Sequence, residues 1–184
     1  MCKRCDWVSG KPQFYLDYHD HEWSVAEHDD RKLFELLILE GFQAGLSWEC
    51  ILKKRDAFRK AFDNFNPEII ANYPEEKVEV LMNDSGIVRN RRKILATIQN
   101  ARSFLQIQKE YGSFDSYLWH FTSGEVIFED YHIRTTSPLS DEISKDLKRR
   151  GMNFVGSTII YSYLQACGIY NAHGDECDWH KQNL

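Results

Sequence analysis

Signals for the start and the end of a helix alternate along this chain from about Asp29 onward. Candidate N-terminal caps precede stretches in which apolar residues recur every three or four positions, as the core-facing side of a helix requires. The candidate starts are Asp29 or Asp30, Ser47, Asn66-Pro67, Pro74-Glu75-Glu76 and Ser140. Gly112, Gly151 and Gly168 follow three of the stretches, where glycine can end a helix in a left-handed conformation. The sequence therefore predicts an all-α fold.

Thr122 to Pro138 is the stretch with the weakest helical pattern. Residues 125–128 are compatible with an extended segment, and we expect the stretch to cross the surface of the helical core. A chain of 184 residues with 42% hydrophobic residues is long enough to bury one substantial core but not two. We therefore predict a single domain over residues 1–184.

No apolar run is long enough to cross a membrane, because Glu35 and Glu40 interrupt the best candidate, residues 33–42. The first ten residues, MCKRCDWVSG, lack the apolar core of a secretory signal. We therefore expect a cytoplasmic protein. Structural disulfides are disfavoured in that compartment, so metal binding or burial must account for the five cysteines, which are Cys2, Cys5, Cys50, Cys167 and Cys177.

The net charge of −5 does not by itself suggest a nucleic-acid partner. Basic residues nevertheless form three local clusters, at positions 53–60, 89–93 and 148–150. Such clusters are typical both of nucleic-acid-binding surfaces and of ordinary solvated helix faces. The charge pattern alone leaves both interpretations open.

The segment LKRRGMNFVGSTII, Leu147 to Ile160, places a short apolar connection between two glycines and two predicted helices. It resembles a helix-hairpin-helix DNA-binding element, which we place at about residues 143–167. Glycines such as Gly151 and Gly156 let the backbone approach a phosphate, and the free N–H groups of the second helix point at it. A glycine-bounded turn between two helices is also common in proteins that do not bind DNA.

Six separated blocks of sequence resemble the type I DNA-3-methyladenine glycosylase family. They are CDWV, YLDYHDHEW, LEGFQAGLSW, SGIVRNRRKI, SKDLKRRGMNFVG and YSYLQACGIYNAH, in that order over nearly the whole chain. The resemblance implies a helix-hairpin-helix DNA glycosylase-like helical domain. It also implies a base-excision repair enzyme that flips 3-methyladenine out of double-stranded DNA and hydrolyses its N-glycosidic bond, leaving an abasic site. No lysine stands out as a Schiff-base nucleophile, so we expect a monofunctional enzyme, without an obligatory protein partner.

The resemblance implies one structural Zn²⁺ per chain, held by Cys5, His19, His173 and Cys177. Two thiolates and two imidazoles complete a tetrahedral site with no open position, and this site would join the N- and C-termini. A helical turn or a tight loop would bring His173 and Cys177 to one side. The residues alone leave the ligand set open, because other candidate ligands lie nearby, namely Cys2, His21 and His180.

In the family, residues that match Glu40, Tyr15, Tyr18 and Trp48 form the base pocket. The matching glutamate accepts hydrogen bonds from the amino edge of the flipped base, so Glu40 is our candidate catalytic residue. Aromatic faces attract a cation and would favour a positively charged methylated adenine over neutral adenine. On sequence alone, Glu40 could instead emerge from a helix end beside Gly41, and each aromatic residue could belong to the core.

Gln43, Gly45 and Leu46 match a turn that the family presents to DNA, where Leu46 would fill the space left by the flipped nucleotide. An ordinary core position is an equally good interpretation of Leu46. Many helix-hairpin-helix glycosylases carry an aspartate after the hairpin, but Asn171 stands in that region here, and Asp175 lies inside the expected zinc loop. The type I family also lacks this aspartate.

Two other functions compete with a glycosylase. A zinc-stabilised module could bind alkylated DNA without catalysis, although the match at the pocket residues disfavours it. A zinc hydrolase would need an open metal position, and the four-ligand site leaves none.

Overall fold

The computed structural model describes residues 2–180 and confirms a predominantly helical fold. Its α-helices are α1 (Gln13–His21), α2 (Asp30–Gln43), α3 (Trp48–Ala61), α4 (Pro67–Ile70), α5 (Glu75–Asn83), α6 (Arg91–Tyr111), α7 (Phe114–Trp119), α8 (Pro138–Arg149) and α9 (Ser157–Ala166). Short 3₁₀ turns cover Asp6–Val8, Asp63–Phe65 and His120–Thr122. The strands, each of two residues, are β1 (Ile127–Phe128) and β2 (Tyr170–Asn171). None of these helices is long and apolar enough to span a membrane.

Helix α2 lies at the centre of the fold. Every residue from Leu33 to Phe42 is buried, because α3, α6, α7 and α9 pack around it. Tyr163 of α9 donates a hydrogen bond to the Leu33 carbonyl at 3.1 Å, which satisfies the phenol in the core. The central position of α2 brings polar side chains on its last turns into the protein interior.

Most of the predicted helix starts are confirmed. Asp29, Ser47 and Asn66 each accept a hydrogen bond from a backbone N–H in the first turn of the following helix. Pro74 lies one residue before α5 rather than inside its first turn. The prediction for α8 is wrong, since the helix begins at Pro138 with Ser137 as its cap, and not at Asp141 after Ser140.

The correction at α8 has a simple physical reason. Pro138 lacks an N–H and suits the first helical position, so the helix can start there rather than after Ser140. Ser137 Oγ accepts from the N–H of Ser140, and Ser140 Oγ accepts from the N–H of Ser137. Ser140 is therefore the reciprocal partner in a capping box, three residues into the motif.

The weakly helical stretch 122–138 crosses the surface and is held by a small parallel β-ladder. The N–H of Ile127 donates to the carbonyl of Ile169 at 2.8 Å, and that of Glu129 to Asn171 at 3.1 Å. The sequence pattern indicated the extended segment near β1 but not β2, because two residues are too few to show alternation. The ladder places residues 129–131 beside the segment that follows α9.

Residues 150–156 connect α8 and α9 in a tight, glycine-bounded turn, as the pattern predicted. Gly151 has φ +90°, and the N–H of Met152 donates to the Leu147 carbonyl at 3.0 Å. Ser144 donates to the carbonyl of Val155 at 2.6 Å, so α8 holds the far side of the turn as well. Its DNA-binding role stays a prediction.

We expect Gly168→Ala to destabilise the protein strongly. Gly168 has φ +75°, and a Cβ there would lie 2.2 Å from the carbonyl carbon of Val25. The segment around Val25 cannot retreat freely, because Ser24 and Glu27 donate to the carbonyls of Gln165 and Cys167. Backbone strain and the clash together should cost about 3 kcal/mol or more.

Gly112→Ala is the matched control for this measurement by thermal or urea unfolding. Gly112 has φ +86°, but a Cβ there would meet no atom within 4 Å. It should therefore show only the strain of a left-handed residue, about 1–2 kcal/mol. Equal losses in the two variants would contradict the close approach at Val25.

Candidate active site and metal centre

A cavity of about 240 Å³ opens between the N-terminal segment, α1, α2, α3 and α9. The structure brings together in it all four residues that the sequence assigned to a pocket: Tyr15, Tyr18, Glu40 and Trp48. The other residues that line it are Trp7, Trp23, Gln43, Tyr131, Ser162 and Gln165. The cavity is therefore mostly aromatic, and its lining within residues 2–180 contains one carboxyl group and no lysine or arginine.

Glu40 is buried, although it lies only three residues before the end of α2. Among residues 2–180, its carboxyl group has no hydrogen-bond or ion-pair partner, and burial raises its pKa to about 8. An unpaired carboxyl group is costly to bury, so its charged form is disfavoured until a positive or hydrogen-bond-donating ligand enters. The interpretation as an exposed carboxylate at a helix end is wrong.

The indole N–H groups of Trp7 and Trp48 are buried and find no acceptor in the described part of the chain. Trp48 is the first residue of α3 and packs at 5.5 Å, ring centre to ring centre, from Tyr18. Burial, together with the nearby Glu40, raises the pKa of Tyr18, so its phenol stays protonated. The cavity thus offers unused donors, electron-rich ring faces and one carboxyl group, which suits a flat, polar ring that carries positive charge.

Sequence reasoning did not assign several lining residues, namely Trp7, Trp23, Tyr131, Ser162 and Gln165. The first two lie within the family-like blocks CDWV and YLDYHDHEW, and Ser162 and Gln165 lie three positions apart in YSYLQACGIYNAH. Helical spacing puts those two on the same face of α9, which could have indicated a shared role. Tyr131 lies outside every block, and long-range contacts bring it to the cavity, namely the β1–β2 ladder nearby and its own contacts with Asp6 and Trp7.

The four predicted metal ligands form one buried group. Their ligand atoms in Cys5, His19, His173 and Cys177 all lie within 4.8 Å of one another. Cys177 Sγ is 3.7 Å from His19 Nε2 and 3.6 Å from His173 Nδ1, and Cys5 Sγ is 3.8 Å from the latter. Sulfur and nitrogen ligands of one tetrahedral zinc ion are separated by about 3.5 Å, so the group fits such an ion.

The surroundings of this group also fit a metal centre. His19 Nδ1 contacts Asp20 at 2.8 Å, and Arg4 holds that carboxylate with two nitrogens. The backbone N–H of Gly174 donates to Cys5 Sγ at 3.4 Å. Such outer partners orient metal ligands. Burial raises the pKa of the Cys5 thiol to about 12 and lowers that of His173 to about 4, so a neutral imidazole is available and a cation would be needed to ionise the thiol.

The alternative ligands lie outside the group. Cys2 and His21 are exposed, and His180 Nδ1 contacts the His173 carbonyl at 2.6 Å. His173 and Cys177 come together through a tight loop rather than a helical turn. Asn171 supports this loop, since its amide contacts the backbone of His173 and His180. Asp175 is exposed, and neither it nor Asn171 lines the cavity.

The aromatic wall of the cavity rests on the metal-ligand group. Trp7 contacts His19 edge-on at 5.3 Å between ring centres, and Trp23 contacts His173 at 4.9 Å. Trp7 and Trp23 also contact each other at 4.8 Å. Any ion that fixes the two histidines therefore also fixes one wall of the cavity.

The segment Gln43–Leu46 forms a tight turn at the end of α2. Ala44 has φ −49° and ψ 115°, Gly45 has φ +81°, and the N–H of Leu46 donates to the Gln43 carbonyl at 2.7 Å. These values define a type II β-turn, which needs glycine or asparagine at its third position. Leu46 is 40% exposed, so the interpretation as an ordinary core residue is wrong.

Most residues of the three basic clusters form ion pairs or hydrogen bonds within the protein. Arg55 and Arg59 both bind Glu35, and Arg150 binds Asp146 and Glu110. Lys93 is buried and donates to backbone carbonyls. Most of these charges therefore serve the fold, and a DNA surface would have to rely on the remaining exposed ones.

Comparisons with known proteins agree on one family. The sequence model described as methyladenine glycosylase matches residues 7–181. The chain is similar to DNA-3-methyladenine glycosylase 1 of Escherichia coli (strain K12), with 47% identity over 182 residues and 95% coverage of each chain. A crystal structure of 3-methyladenine DNA glycosylase I matches with a TM-score of 0.91 and 47% identity, over 96% of this chain and 98% of that one.

A second solved structure is informative for the cavity. It is a tyrosine-to-phenylalanine variant of 3-methyladenine DNA glycosylase I in complex with 3-methyladenine. It matches with a TM-score of 0.92 and 36% identity, over 95% of this chain and 96% of that one.

We expect Glu40→Gln to stabilise the fold at neutral and alkaline pH. In the unfolded chain the carboxyl group ionises near its usual pKa of 4.5, whereas in the fold its pKa is about 8. Between these values the native protein retains a proton that the unfolded chain has lost, so stability falls as pH rises, by at most about 1.4 kcal/mol per pH unit. The Glu40→Gln variant has no carboxyl group to ionise at this position, so its stability does not fall with pH for this reason.

Thermal unfolding from pH 4.5 to 8.5 checks this expectation. The advantage of the variant should grow with pH and level off above about 8. Glu76→Gln, at an exposed position of α5, is the control and should track the wild type. A Glu40→Gln variant that is less stable than the wild type at pH 8 would contradict the unpaired burial of this carboxyl group.

Proposed function

The chain belongs to the methyladenine glycosylase family, and we propose that it removes 3-methyladenine from alkylated double-stranded DNA. The observation that carries the proposal is Glu40, a buried carboxyl group in an aromatic cavity that has no partner in the described part of the chain. A base paired inside a duplex cannot reach such a cavity. The target nucleotide must therefore rotate out of the helix before it is read.

Glu40 reads the base by its amino edge. The exocyclic amino group of adenine donates hydrogen bonds, and an ionised carboxylate only accepts them. A methylated adenine that carries positive charge also lowers the pKa of the carboxyl group and makes its ionisation favourable. The ring faces of Tyr15 and Trp48 hold the cation by stacking, and the hydroxyl of Tyr18 supplies a further polar contact.

The chemical step is hydrolysis of the N-glycosidic bond. The bond between the sugar C1′ and N9 breaks with its electron pair going to N9, which neutralises the positive base. A water oxygen then bonds to C1′ and releases a proton to solvent, leaving an abasic site. No lysine among residues 2–180 lines the cavity, which favours water rather than an amine as the nucleophile and a strand that is not cut. Because the leaving group is already cationic, modest stabilisation of the transition state is sufficient.

Two loops are proposed to contact the DNA. The turn Gln43–Leu46 presents an exposed leucine at the end of the helix that carries Glu40, so Leu46 can fill the gap in the base stack. Gly151 and Gly156 bound the connection between α8 and α9, which we propose to be a helix-hairpin-helix element that binds phosphate through backbone N–H groups.

We also propose that Cys5, His19, His173 and Cys177 hold one structural Zn²⁺. The ion would complete its coordination with these four side chains, so it supplies cross-linking rather than a reactive water. This linkage spans from residue 5 to residue 177 and supports the Trp7 and Trp23 wall. A metal site built from thiolates and a bacterial relative both support location in the reducing cytoplasm.

Cys177→Ala should lower zinc content and thermal stability together. Removal of one ligand leaves three donors and an incomplete tetrahedron, so part of the metal-binding free energy is lost from folding. Elemental analysis and thermal unfolding measure the two effects. Cys2→Ala removes an exposed thiol three residues from Cys5 and should change neither. Purified wild-type protein that is fully stable without stoichiometric zinc would refute the assignment.

The protein should release 3-methyladenine from methylated duplex DNA but little or no 7-methylguanine. Both bases are cationic, but guanine has an O6 acceptor where adenine has an amino donor, so it would place acceptor against acceptor at Glu40. Such a buried mismatch costs on the order of 1–3 kcal/mol. Chromatography of the released bases measures both products.

The same assay separates the proposal from a non-catalytic DNA-binding module, which would release neither base. Glu40→Gln should retain the fold and lose most 3-methyladenine release. Comparable release of both bases by the wild type would show that charge alone is read, and the hydrogen-bonding role of Glu40 would be wrong.

A further inference from the structure

Lys93 occupies an unusual position for a lysine. It lies in the first turn of α6, is only 7% exposed, and has no carboxylate partner among residues 2–180. Its ammonium group donates to the carbonyls of Phe42 at 2.8 Å and Ala44 at 2.7 Å. Burial lowers its pKa, so this position is costly and calls for an explanation.

Both acceptors belong to the C-terminal end of α2. The last carbonyls of a helix have no partner within the helix, and a cation there also complements the helix dipole. Lys93 therefore caps the C-terminal end of α2 with a side chain from another helix, at the point where the chain turns toward Leu46.

The second acceptor fixes the type of the turn. In a β-turn, types I and II differ by rotation of the central peptide, which here joins Ala44 to Gly45. That rotation would reverse the direction of the Ala44 carbonyl. By binding this carbonyl, Lys93 holds the peptide in its type II orientation, and Gln43 Nε2 adds a bond to the Leu46 carbonyl at 2.8 Å. Lys93 thus fixes the conformation of the turn that carries Leu46.

The same face of α6 holds the connection between α8 and α9. Asn100, seven residues after Lys93, accepts from the N–H of Asn153 at 2.8 Å and donates to its carbonyl at 2.9 Å. Ser103 donates to the Arg150 carbonyl at 2.8 Å. Asn100 thereby supports the residue that precedes Phe154, whose φ of +55° is unusual for a side chain of this size.

We propose that Lys93 and Asn100 are positioning residues that attach both DNA-contacting loops to one rigid helix. Seven helical residues span about 10.5 Å, so α6 sets the distance between the Leu46 turn and the hairpin. The two loops must act at once, one in the base stack and one on the phosphate backbone, so a fixed spacing lets both engage without further ordering. This inference rests on the proposed glycosylase function.

The test uses Lys93→Met, which keeps an apolar stem and removes the donor. In this proposal Leu46 fills the gap that the flipped nucleotide leaves in the base stack, and only duplex DNA has such a gap. We therefore expect 3-methyladenine excision from methylated duplex DNA to fall about tenfold, the size of one charge-assisted hydrogen bond. Excision from methylated single-stranded DNA and affinity for free 3-methyladenine should stay close to wild type. A merely structural role would lower all three together.

Asn100→Ala tests the other loop. Loss of the hairpin support should weaken binding to both duplex and single-stranded methylated DNA, because both present phosphates, while affinity for the free base persists. Lys109→Met, at an exposed position near the other end of α6, is the charge-matched control and should leave every readout unchanged.

Hydrogen exchange provides a readout that does not depend on activity. In Lys93→Met, the amide of Leu46 should lose protection while amides in α1 keep theirs. Unchanged protection at Leu46, or an unchanged ratio of duplex to single-strand excision, would overturn the inference. Absence of base release by the wild type would instead refute the proposed function, and the exchange measurement would still decide the role of Lys93.

Discussion

The burial of α2 on all sides is the constraint on which the rest of the structure depends. Four helices enclose residues 33–42, so the two carboxyl groups within this stretch are buried. Glu35 is paired with Arg55 and Arg59, whereas Glu40 faces the cavity and has no partner among residues 2–180. The same helix ends at the Leu46 turn, so one element positions both the carboxyl group in the cavity and the exposed leucine beside it.

The walls of the cavity come from segments that are far apart in the chain. Trp7 and Trp23 rest on the histidines of the metal-ligand group, and Tyr131 reaches the cavity because β1 pairs with the strand that leads to His173. The cavity is therefore an assembly of distant segments around the central helix, and its Trp7 and Trp23 wall rests on side chains from both ends of the described chain.

Local signals in the sequence predicted the helices well and long-range contacts poorly. Caps such as Asp29 and Ser47 act within three residues, so a sequence pattern can show them. The predicted start of α8 at Ser140 is wrong because the Ser137-Pro138 pair, three residues earlier, supplies both a cap and a first-turn proline. Glu40, Tyr15, Tyr18 and Trp48 could be assembled only through the family resemblance. The sequence places Lys93 in a basic cluster. Its burial could not be predicted from that pattern, because the carbonyls that it binds lie about 50 residues away in the chain.

The grouping of Cys5 with Cys177 also has a consequence for the order of folding. The segment with His173 and Cys177 is synthesised after every other wall of the cavity, and contacts of such high sequence separation form late because closing the loop costs entropy. Helices α2 to α9 all precede this segment in the chain. The contacts of His19 and Trp23 with His173 form only after the C-terminal loop has packed against the N-terminal segment. We therefore expect the aromatic wall of the cavity to be completed after the helical core.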